Sequence, residues 1–441
     1  MSYLSQCLQE MPATDVGTIA AALAPGSATA GGRKADMFIL ERLLDEGFLA
    51  DLLRKLNDEE LRTISLFVWW ASTKGIPKGD TWLAMARLDS PQRELDSLMH
   101  KGIVFEARDG KWGKYFVPED LAAKLSRVLA HKCLPRPLPL DEDVSENIFS
   151  GNFYEDCLTL LTYVHQDPVI LTQKGTIPKR IITKLTPLMQ FKEEITISWP
   201  FIDYCSFRFW LLHRYCLYIK ALIPREPVLT VQTNAVVQWL KQKPLSRIYQ
   251  TIPFMWNICF EKCPIPSIKA LLKLIAHMDQ DRWFGYAELA GAARNITGYT
   301  WQSPGPEDLL EAFLDAGLLT EGLTRKGERV IRFGFWSPRN EAREFPALPG
   351  EEDGFWVQPN FEVLAPPWLQ LVLRWQLAML AEPVKMDHAF TYALTKKAAL
   401  RFFKRGGSAP EMLDFLARHS KKPLPQNVSF TIREWGLSTA E

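Results

Sequence analysis

Residues 355–435 read FWVQPNFEVLAPPWLQLVLRWQLAMLAEPVKMDHAFTYALTKKAALRFFKRGGSAPEMLDFLARHSKKPLPQNVSFTIREW. Apolar and polar residues alternate over 355–363, which predicts a strand that is broken at Pro359. The apolar run over 368–380 has the spacing of a helix, and residues 390–394 predict a further short strand. These elements predict that the C-terminal part of the chain mixes helices and strands.

The second half of this stretch predicts two helices and a closing strand. Thr395 is a suitable N-cap for a basic helix, which Gly406-Gly407 ends. A second helix is predicted to begin near Ser408 and to stop before Pro423. Residues 428–432 alternate and predict the closing strand. Together these elements predict a compact α+β unit that contains one strongly basic helix.

The ordered motifs of this stretch resemble a known family. VQPN, Y-x-L-T, a basic helix ending in GG, LPQN and a late Trp follow one another as in the helicase-associated domain that precedes the motor in bacterial XPB-type DNA-repair helicases. Stand-alone bacterial proteins with this domain are similar. The resemblance implies a place in DNA repair, recombination or transcription. The residues that carry it are Val357, Gln358, Pro359, Asn360, Tyr392, Leu394, Thr395, Gly406, Gly407, Leu424, Pro425, Gln426, Asn427 and Trp435.

The composition is that of a globular protein with balanced charge. The 441 residues are 47% hydrophobic and 23% charged, which predicts two to four domains with ample core material. Lysine and arginine total 52 and aspartate and glutamate total 51, so the net charge is +1. This balance excludes a globally basic protein that coats nucleic acid, but it leaves room for local basic faces.

The cysteines and the apolar segments indicate the cytoplasm. The seven cysteines are scattered and odd in number, which favours reduced thiols over a disulfide framework. Among them, Cys259 and Cys263 form a C-x-x-x-C pair without a second pair of ligands, so they are interpreted as small buried residues and not as a zinc site. The N-terminal residues lack the pattern of a signal peptide, and no apolar run has the length of a membrane span.

The N-terminal part is predicted to be helical. Residues 1–56 contain a short helix, a loop of small residues, and a helix beginning at Arg33 that Gly47 closes. Residues 57–135 then predict three helices, including one over 80–87, followed by a hairpin that turns at Asp109-Gly110. Three helices and a two-stranded wing make a winged helix, which is a variant of the helix-turn-helix.

The same order of elements recurs along the chain. Residues 150–245 predict a degenerate second winged helix, and residues 262–336 predict a third. The polar, proline-rich residues 337–353 are interpreted as a linker to the C-terminal domain, residues 354–441. The predicted fold is therefore mainly α with small β wings, of the α+β class. It consists of tandem winged-helix domains followed by a compact C-terminal α+β domain.

Motifs for catalysis are missing from the sequence. A Walker loop, G-x-x-x-x-G-K-[ST], is absent, and the nearest segment, residues 173–176, lacks the first Gly. The acidic clusters at 58–60 and 351–353 are interpreted as a helix start and a solvated linker. A nuclease site would need carboxylates that only the fold brings together. We therefore expect a protein without a motor, without enzymatic activity and without a metal or cofactor.

Two basic segments are the candidate nucleic-acid site. Residues 173–191 and 395–405 contain no acidic residue, and cations near phosphates release counterions when nucleic acid binds. The alternative is that they are solvated helix faces. Contacts would be mainly to phosphates, since no helix has the Arg, Asn and Gln set that reads base edges. The candidate residues are Lys174, Lys179, Arg180, Lys184, Lys396, Lys397, Arg401, Lys404 and Arg405.

Two functional hypotheses remain. The first is a non-enzymatic DNA-binding accessory protein that works with a helicase or another ATPase in trans. The second is a protein-interaction scaffold built from winged helices, without direct contact to DNA. A basic stripe shared by both segments favours DNA, whereas separation of the segments by acidic patches favours a scaffold.

Overall fold

The computed structural model describes most of the chain. The described residues are 3–24, 33–70, 76–77, 91–107, 113–146, 152–190, 205–257, 266–279, 281–297, 305–333, 353–367, 369–386 and 389–437. They divide into two compact units, each made from separate stretches of chain. The first unit comprises Met1–Asn147, Met255–Leu310 and Glu321–Phe333, and the second comprises Ile148–Phe254, Glu311–Thr320 and Gly334–Glu441.

The first unit is mostly helical. Its helices are α1 Leu4–Glu10, α2 Ala13–Leu23, α3 Arg33–Leu43, α4 Glu46–Lys55, α5 Asp58–Ser65, α6 Pro91–His100, α7 Glu119–Cys133, α13 Pro266–Ala276 and α14 Tyr286–Thr297, and its strands are β1 Ile76–Pro77, β2 Phe105–Ala107, β3 Lys114–Phe116, β4 Val144–Glu146, β8 Phe284–Gly285 and β10 Arg329–Phe333. A π-helical turn, Leu66–Trp70, extends α5.

The second unit contains the segment with the motifs quoted above. Its helices are α8 Asn152–Gln166, α9 Lys179–Leu185, α10 Phe207–Tyr218, α11 Thr233–Leu240, α16 Leu371–Leu380, α17 Lys396–Lys404, α18 Ala409–His419 and α19 Gln426–Leu437, and its strands are β5 Val169–Ile170, β6 Leu222–Arg225, β7 Val228–Val231, β11 Trp356–Val357, β12 Glu362–Ala365, β13 Glu382–Met386 and β14 Phe390–Ala393. Three further elements contain a unit boundary: α12 Pro244–Asn257, α15 Pro306–Asp315 and β9 Leu319–Thr324.

These elements give a mainly helical α+β fold with small sheets. Three of the sheets have the same strand order. In each, the second strand of a hairpin is in the middle, and it pairs with the first strand of the hairpin on one side and with an earlier strand on the other. Their orders are β1-β3-β2, β5-β7-β6 and β8-β10-β9, and β4 extends the third sheet. In the second and third cases the chain order is helix, strand, helix, helix, hairpin. Strand β6 was not anticipated from the sequence.

The C-terminal segment has its own sheet and core. The strand order is β11-β12-β14-β13, with Val363 opposite Val357 on one side and Tyr392 on the other. Strand β13 was not anticipated. Helices α16 to α19 pack against this sheet and bury a continuous apolar core. The core includes Phe355, Val357, Val363, Leu373, Leu377, Phe390, Tyr392, Met412, Leu416, Val428 and Ile432.

Two expectations were wrong. Residues 428–432, predicted as a closing strand, lie within α19. The decisive residues are Val428 and Ile432, which are both fully buried and stand four positions apart, as on one face of a helix. Gly47 does not close a helix but lies in the first turn of α4, because the Asp45 side chain accepts a hydrogen bond from the Phe48 amide at 2.6 Å and caps that helix.

Several predicted features lie outside the described residues. They are the helix over 80–87, the hairpin turn at Asp109-Gly110, the pair Cys259 and Cys263, and the linker over 337–352.

Candidate nucleic-acid interface

Both basic segments lie in the second unit. The first segment comprises α9 and the turn before it, with Lys174, Lys179, Arg180 and Lys184. The second segment comprises α17 and its C-cap, with the candidate cations of residues 396–405. The candidate residues are exposed with one exception, Arg401, whose side chain is only 15% exposed. The structure therefore places most of the candidate cations where a ligand can reach them.

Helix α17 forms as its sequence predicts. The Thr395 side chain accepts a hydrogen bond from the Ala398 amide at 3.1 Å and caps the N-terminus. At the other end Gly406 has φ of 94°, a conformation that glycine adopts without steric cost. Ala398 and Ala399 are fully buried, so the alanines face the core. Both predicted ends of this basic helix are confirmed.

Arg401 points toward the body of the domain. Its Nη1 lies 3.8 Å from Glu382 Oε1 on β13, and Lys397 Nζ lies at the same distance from that oxygen. The Nε and Nη2 atoms of Arg401 are buried and have no hydrogen-bond partner in the part of the chain that the structure describes. Glu382 therefore neutralises part of the charge that the sequence assigns to this helix.

Arg405 caps another helix. Its Nη2 donates a hydrogen bond to the carbonyl oxygen of His165 at 2.5 Å and a longer one to that of Gln166 at 3.4 Å. These carbonyls belong to the last turn of α8, whose C=O groups have no partner within the helix. Burial and the neighbouring Arg401 lower the pKa of Arg405, while Asp167 opposes that change. Arg405 therefore fastens α17 to the end of α8.

His165 is held neutral beside these arginines. Burial, followed by the charges of Arg405 and Arg401, lowers the pKa of His165 to about 4. Its ring packs edge-on against Trp375 of α16, with 5.3 Å between ring centroids. At neutral pH this histidine is therefore an uncharged packing group and adds nothing to the basic surface.

Charges from both basic segments affect groups at the end of α8. Burial and Asp167 raise the pKa of Tyr163, and the charge of Arg180 from α9 opposes that rise. Asp167 in turn acts on Arg405 from α17. Tyr163 and Asp167 are four residues apart, about one helical turn. Arg180 and Arg405, one from each basic segment, therefore both interact electrostatically with groups at the end of α8.

A buried ion pair joins the first turn of α8 to α16. Arg374 of α16 is 2% exposed, and its Nη1 lies 2.7 Å from Glu155 Oε2 of α8. The Arg374 Cζ also lies 3.9 Å from the centroid of the Phe390 ring, a cation–π distance. Burial alone would lower the pKa of Arg374, but the attraction of Glu155 and then Tyr392 raises it, so the guanidinium stays charged.

A hydrogen bond extends this interface between α8 and α16. Gln166 Nε2 donates to the carbonyl oxygen of Ala378 at 2.6 Å. The sequence interpretation missed the interface. The available signal was Arg374 itself, the lone charge in the apolar run Leu371–Leu380, because a charge inside such a run needs a buried partner.

The structure offers no metal or membrane element among the residues it describes. No group of three or more His, Cys, Asp or Glu side chains there is arranged to hold a metal ion. Within the same ranges, none of the helices combines the length and the apolar character that crossing a membrane requires.

Comparison with known proteins identifies one segment. The search of curated proteins gives no match to this chain. Residues 355–438, less than a fifth of the 441 residues, match the family model described as the helicase conserved C-terminal domain. This segment holds α17 and the whole stretch that carries the resemblance to helicase-associated domains, so the match supports a helicase-type C-terminal domain in this part of the chain.

Proposed function

We propose that this chain is a non-enzymatic DNA-binding accessory protein that acts beside a helicase or another ATPase in DNA repair, recombination or transcription. The observation that supports the proposal is that both basic segments expose cations in the unit with the helicase-type domain, and that Arg180 of one and Arg405 of the other interact electrostatically with groups at the end of α8. The resemblance to the accessory region of XPB-type helicases supports the partner class. The sequence lacks a Walker loop, which supports a motor in trans.

The three repeated sheets support tandem winged helices. In a winged helix the wing hairpin pairs with a strand that follows the first helix, and the orders β1-β3-β2, β5-β7-β6 and β8-β10-β9 agree with this arrangement. We assign the three modules to this fold on their strand order and, in the second and third modules, on their element order. Modules of this type are a helix-turn-helix variant that many DNA-binding proteins use.

The binding mode that we propose is contact with phosphates. In the second module the third helix, α10, has no Asn or Gln, so it lacks the set of side chains that reads base edges. The remaining contacts come from the exposed cations, which neutralise phosphates without reading sequence. We assign them to Lys174, Lys179, Arg180, Lys184, Lys396 and Lys397. Arg401 and Arg405 make contacts within the protein, and Lys404 lines a groove at the C-terminal end of α17.

The test is salt-dependent binding. A labelled duplex and a labelled single strand are titrated with the full chain by fluorescence anisotropy, from about 50 to 200 mM salt. We expect the logarithm of affinity to fall linearly with that of salt concentration. Replacing the six assigned cations by alanine is expected to reduce the slope on duplex DNA by about 0.9 for each phosphate that the variant no longer neutralises.

The control removes cations elsewhere in the chain. Lys55, Lys241 and Lys243 are also exposed, and their replacement by alanine is expected to leave the slope within error. An equal reduction of the salt slope in both variants would mean that the six assigned cations do not form the DNA-binding surface.

A second candidate function is a protein-interaction scaffold. The specific observation in its favour is that Glu382 and Asp167 lie among the basic residues, and that Arg401 and Arg405 serve contacts within the protein. No binding of either oligonucleotide at about 50 mM salt, where electrostatic binding is strongest, would exclude the first function and leave this one.

A further inference from the structure

A groove lies at the C-terminal end of α17, and none of the six cations assigned to phosphates lines it. Its volume is about 960 Å³, and the end of α17, the start of α18 and the end of α19 form its walls. This volume falls within the range of about 300–1,000 Å³ that is usual for ligand pockets in proteins. The lining residues are Leu400, Phe403, Lys404, Gly407, Ser408, Ala409, Pro410, Arg433, Gly436 and Leu437.

The lining is mainly apolar, and one wall carries an exposed apolar ridge. Leu437 is 74% exposed and Phe430 is 60% exposed, whereas Val428 and Ile432 of the same helix are fully buried. Positions 430 and 437 are seven residues apart, so they lie on the same side of α19, two turns from each other. Helix α19 therefore has one face in the core, and a second side exposes Phe430 and Leu437 with Arg433 and Glu434 between them. An exposed apolar patch beside a groove is typical of a protein-binding surface.

Two cations stand at the groove. Lys404 and Arg433 are both exposed, and neither has an ion pair or side-chain hydrogen bond among the residues that the structure describes. The nearby carboxylate of Glu411 is engaged, because it accepts a hydrogen bond from the Ser408 hydroxyl at 2.9 Å at the start of α18. The groove therefore combines apolar walls with positive charge that none of the described residues of this segment neutralises.

We propose that this groove binds an acidic amphipathic helical segment of a separate polypeptide. Apolar side chains of such a segment at positions i, i+3, i+4 and i+7 would pack against Leu400, Phe403 and Leu437. Its carboxylates would pair with Lys404 and Arg433. A nucleic-acid backbone could neutralise the cations, but it would leave the apolar ridge of α19 in water. A protein segment with both apolar side chains and carboxylates can contact the apolar residues and the cations of the groove together.

The groove does not depend on the proposed DNA surface. The residues that form it are separate from the six cations assigned to phosphates, and a partner bound here could be the ATPase that the proposed function requires or another protein. Because the contact surface is small, we expect a dissociation constant in the micromolar range, as for transient complexes.

The test is a selection followed by a binding measurement. Random peptides of about 16 residues, enough for four helical turns, are displayed and selected on the full-length chain, with counter-selection on the variant Arg433→Glu, Leu437→Ser. We expect the selected peptides to share a net negative charge and apolar residues at helical spacing. Labelled copies should bind the variant at least tenfold more weakly than the parent protein.

The controls separate the proposal from its alternatives. The variant Lys241→Glu, Tyr249→Ser changes an exposed cation and an exposed aromatic residue of the same unit, and it should bind the selected peptides like the parent. Thermal unfolding of each variant should match that of the parent, since the altered side chains are exposed. This experiment is independent of the salt titration, so either proposal can fail without the other.

Four results would overturn the proposal. They are the absence of a shared acidic amphipathic pattern, equal binding to both variants, a loss of oligonucleotide affinity in the Arg433→Glu, Leu437→Ser variant, and concentration-dependent self-association of the parent that this variant abolishes. The third result would assign the groove to nucleic acid, and the fourth would assign it to a second copy of the chain.

Discussion

The basic segments at α9 and α17 are alike in sequence but differ in what their cations contact. Both runs lack an acidic residue, and both contain arginine and lysine at helical spacing. In α9, Arg180 and Lys184 are exposed. In α17, Arg401 lies against Glu382, and Arg405 caps α8. A run of cations in a sequence therefore does not distinguish ligand-binding charges from charges that hold a fold together.

The cause of the difference is what each helix packs against. Helix α17 lies beside strand β13 and the end of α8, which present a carboxylate and unpaired carbonyl oxygens to long side chains that reach them. The cations of α9 point away from the core, because Ile182 and Leu185 occupy its buried face. The following predictions test this division of roles, beginning with the largest expected effect.

The buried ion pair between α8 and α16 can be broken by one substitution. Arg374→Met leaves Glu155 largely buried without its partner, and breaking a buried pair in this way typically costs about 3 kcal/mol or more. We expect the free energy of unfolding in urea to fall by that amount. The double variant Arg374→Met, Glu155→Leu should regain most of the loss. A double variant as unstable as the single one would contradict this interpretation.

The structural role of Arg405 can be compared directly with the exposed Arg180. Arg405→Ala removes a charged donor from the carbonyls at the end of α8, and we expect a loss of about 1–2 kcal/mol of unfolding free energy. Arg180→Ala should change the stability by less than about 0.5 kcal/mol, as is usual for exposed residues. Denaturant titration of both variants provides the comparison. Equal losses of unfolding free energy in the two variants would contradict the proposed difference between the segments.

Salt dependence separates the same two groups by function. Lys179→Ala, Arg180→Ala, Lys184→Ala should lower the salt slope of duplex binding by about 0.9 for each phosphate left without a cation, at unchanged stability. Lys396→Ala, Lys397→Ala should lower it less than the α9 variant, since Lys397 shares Glu382 with Arg401. If the α17 variant has the larger effect, the second segment is the main contact and the comparison is reversed.

The pH dependence of stability tests the environment of α8. The folded-state pKa of His165 is about 4, below the ordinary value of about 6.5, so the unfolded chain binds more protons between these values. His165 therefore makes stability fall as the pH falls from about 6.5 toward 4. His165→Phe keeps the ring contact with Trp375 and should flatten this decline when unfolding midpoints are measured across that range. An unchanged decline would mean that His165 is not held neutral.

His213 should also contribute to the loss of stability as the pH falls from about 6.5 toward 4. Burial and then the charge of Arg214 also lower its pKa to about 4. The variants His165→Phe and His213→Phe should each remove a portion of the decline, and their combination should remove more than either one.

Local signals in the sequence predicted the ends of elements well. Thr395 and Gly406-Gly407 delimit α17 because capping depends only on residues within one turn. The spacing in 428–432 was ambiguous, since Val-Ser-Phe-Thr-Ile alternates like a strand while Val428 and Ile432 also fit one face of a helix. The packing of those two side chains into the core decides in favour of the helix.

The sequence could not predict the contacts that join distant segments. Nothing local to Arg374 identifies Glu155 as its partner, and nothing local to Arg405 identifies the carbonyls of His165 and Gln166. Both depend on the packing of α8 against α16 and α17, which is a property of the tertiary fold. For this reason the candidate site was found by charge pattern, but the roles of its two arginines were not.

Arg374 also bears on how the helicase-type segment can pass between proteins. The family match covers residues 355–438, but the carboxylate that neutralises Arg374 belongs to a much earlier stretch of chain. A gene rearrangement that moved only the matched segment would move a buried guanidinium without its counterion. A segment inherited with Arg374 therefore needs the module with Glu155 beside it, a carboxylate from a new neighbour, or an apolar residue in place of Arg374.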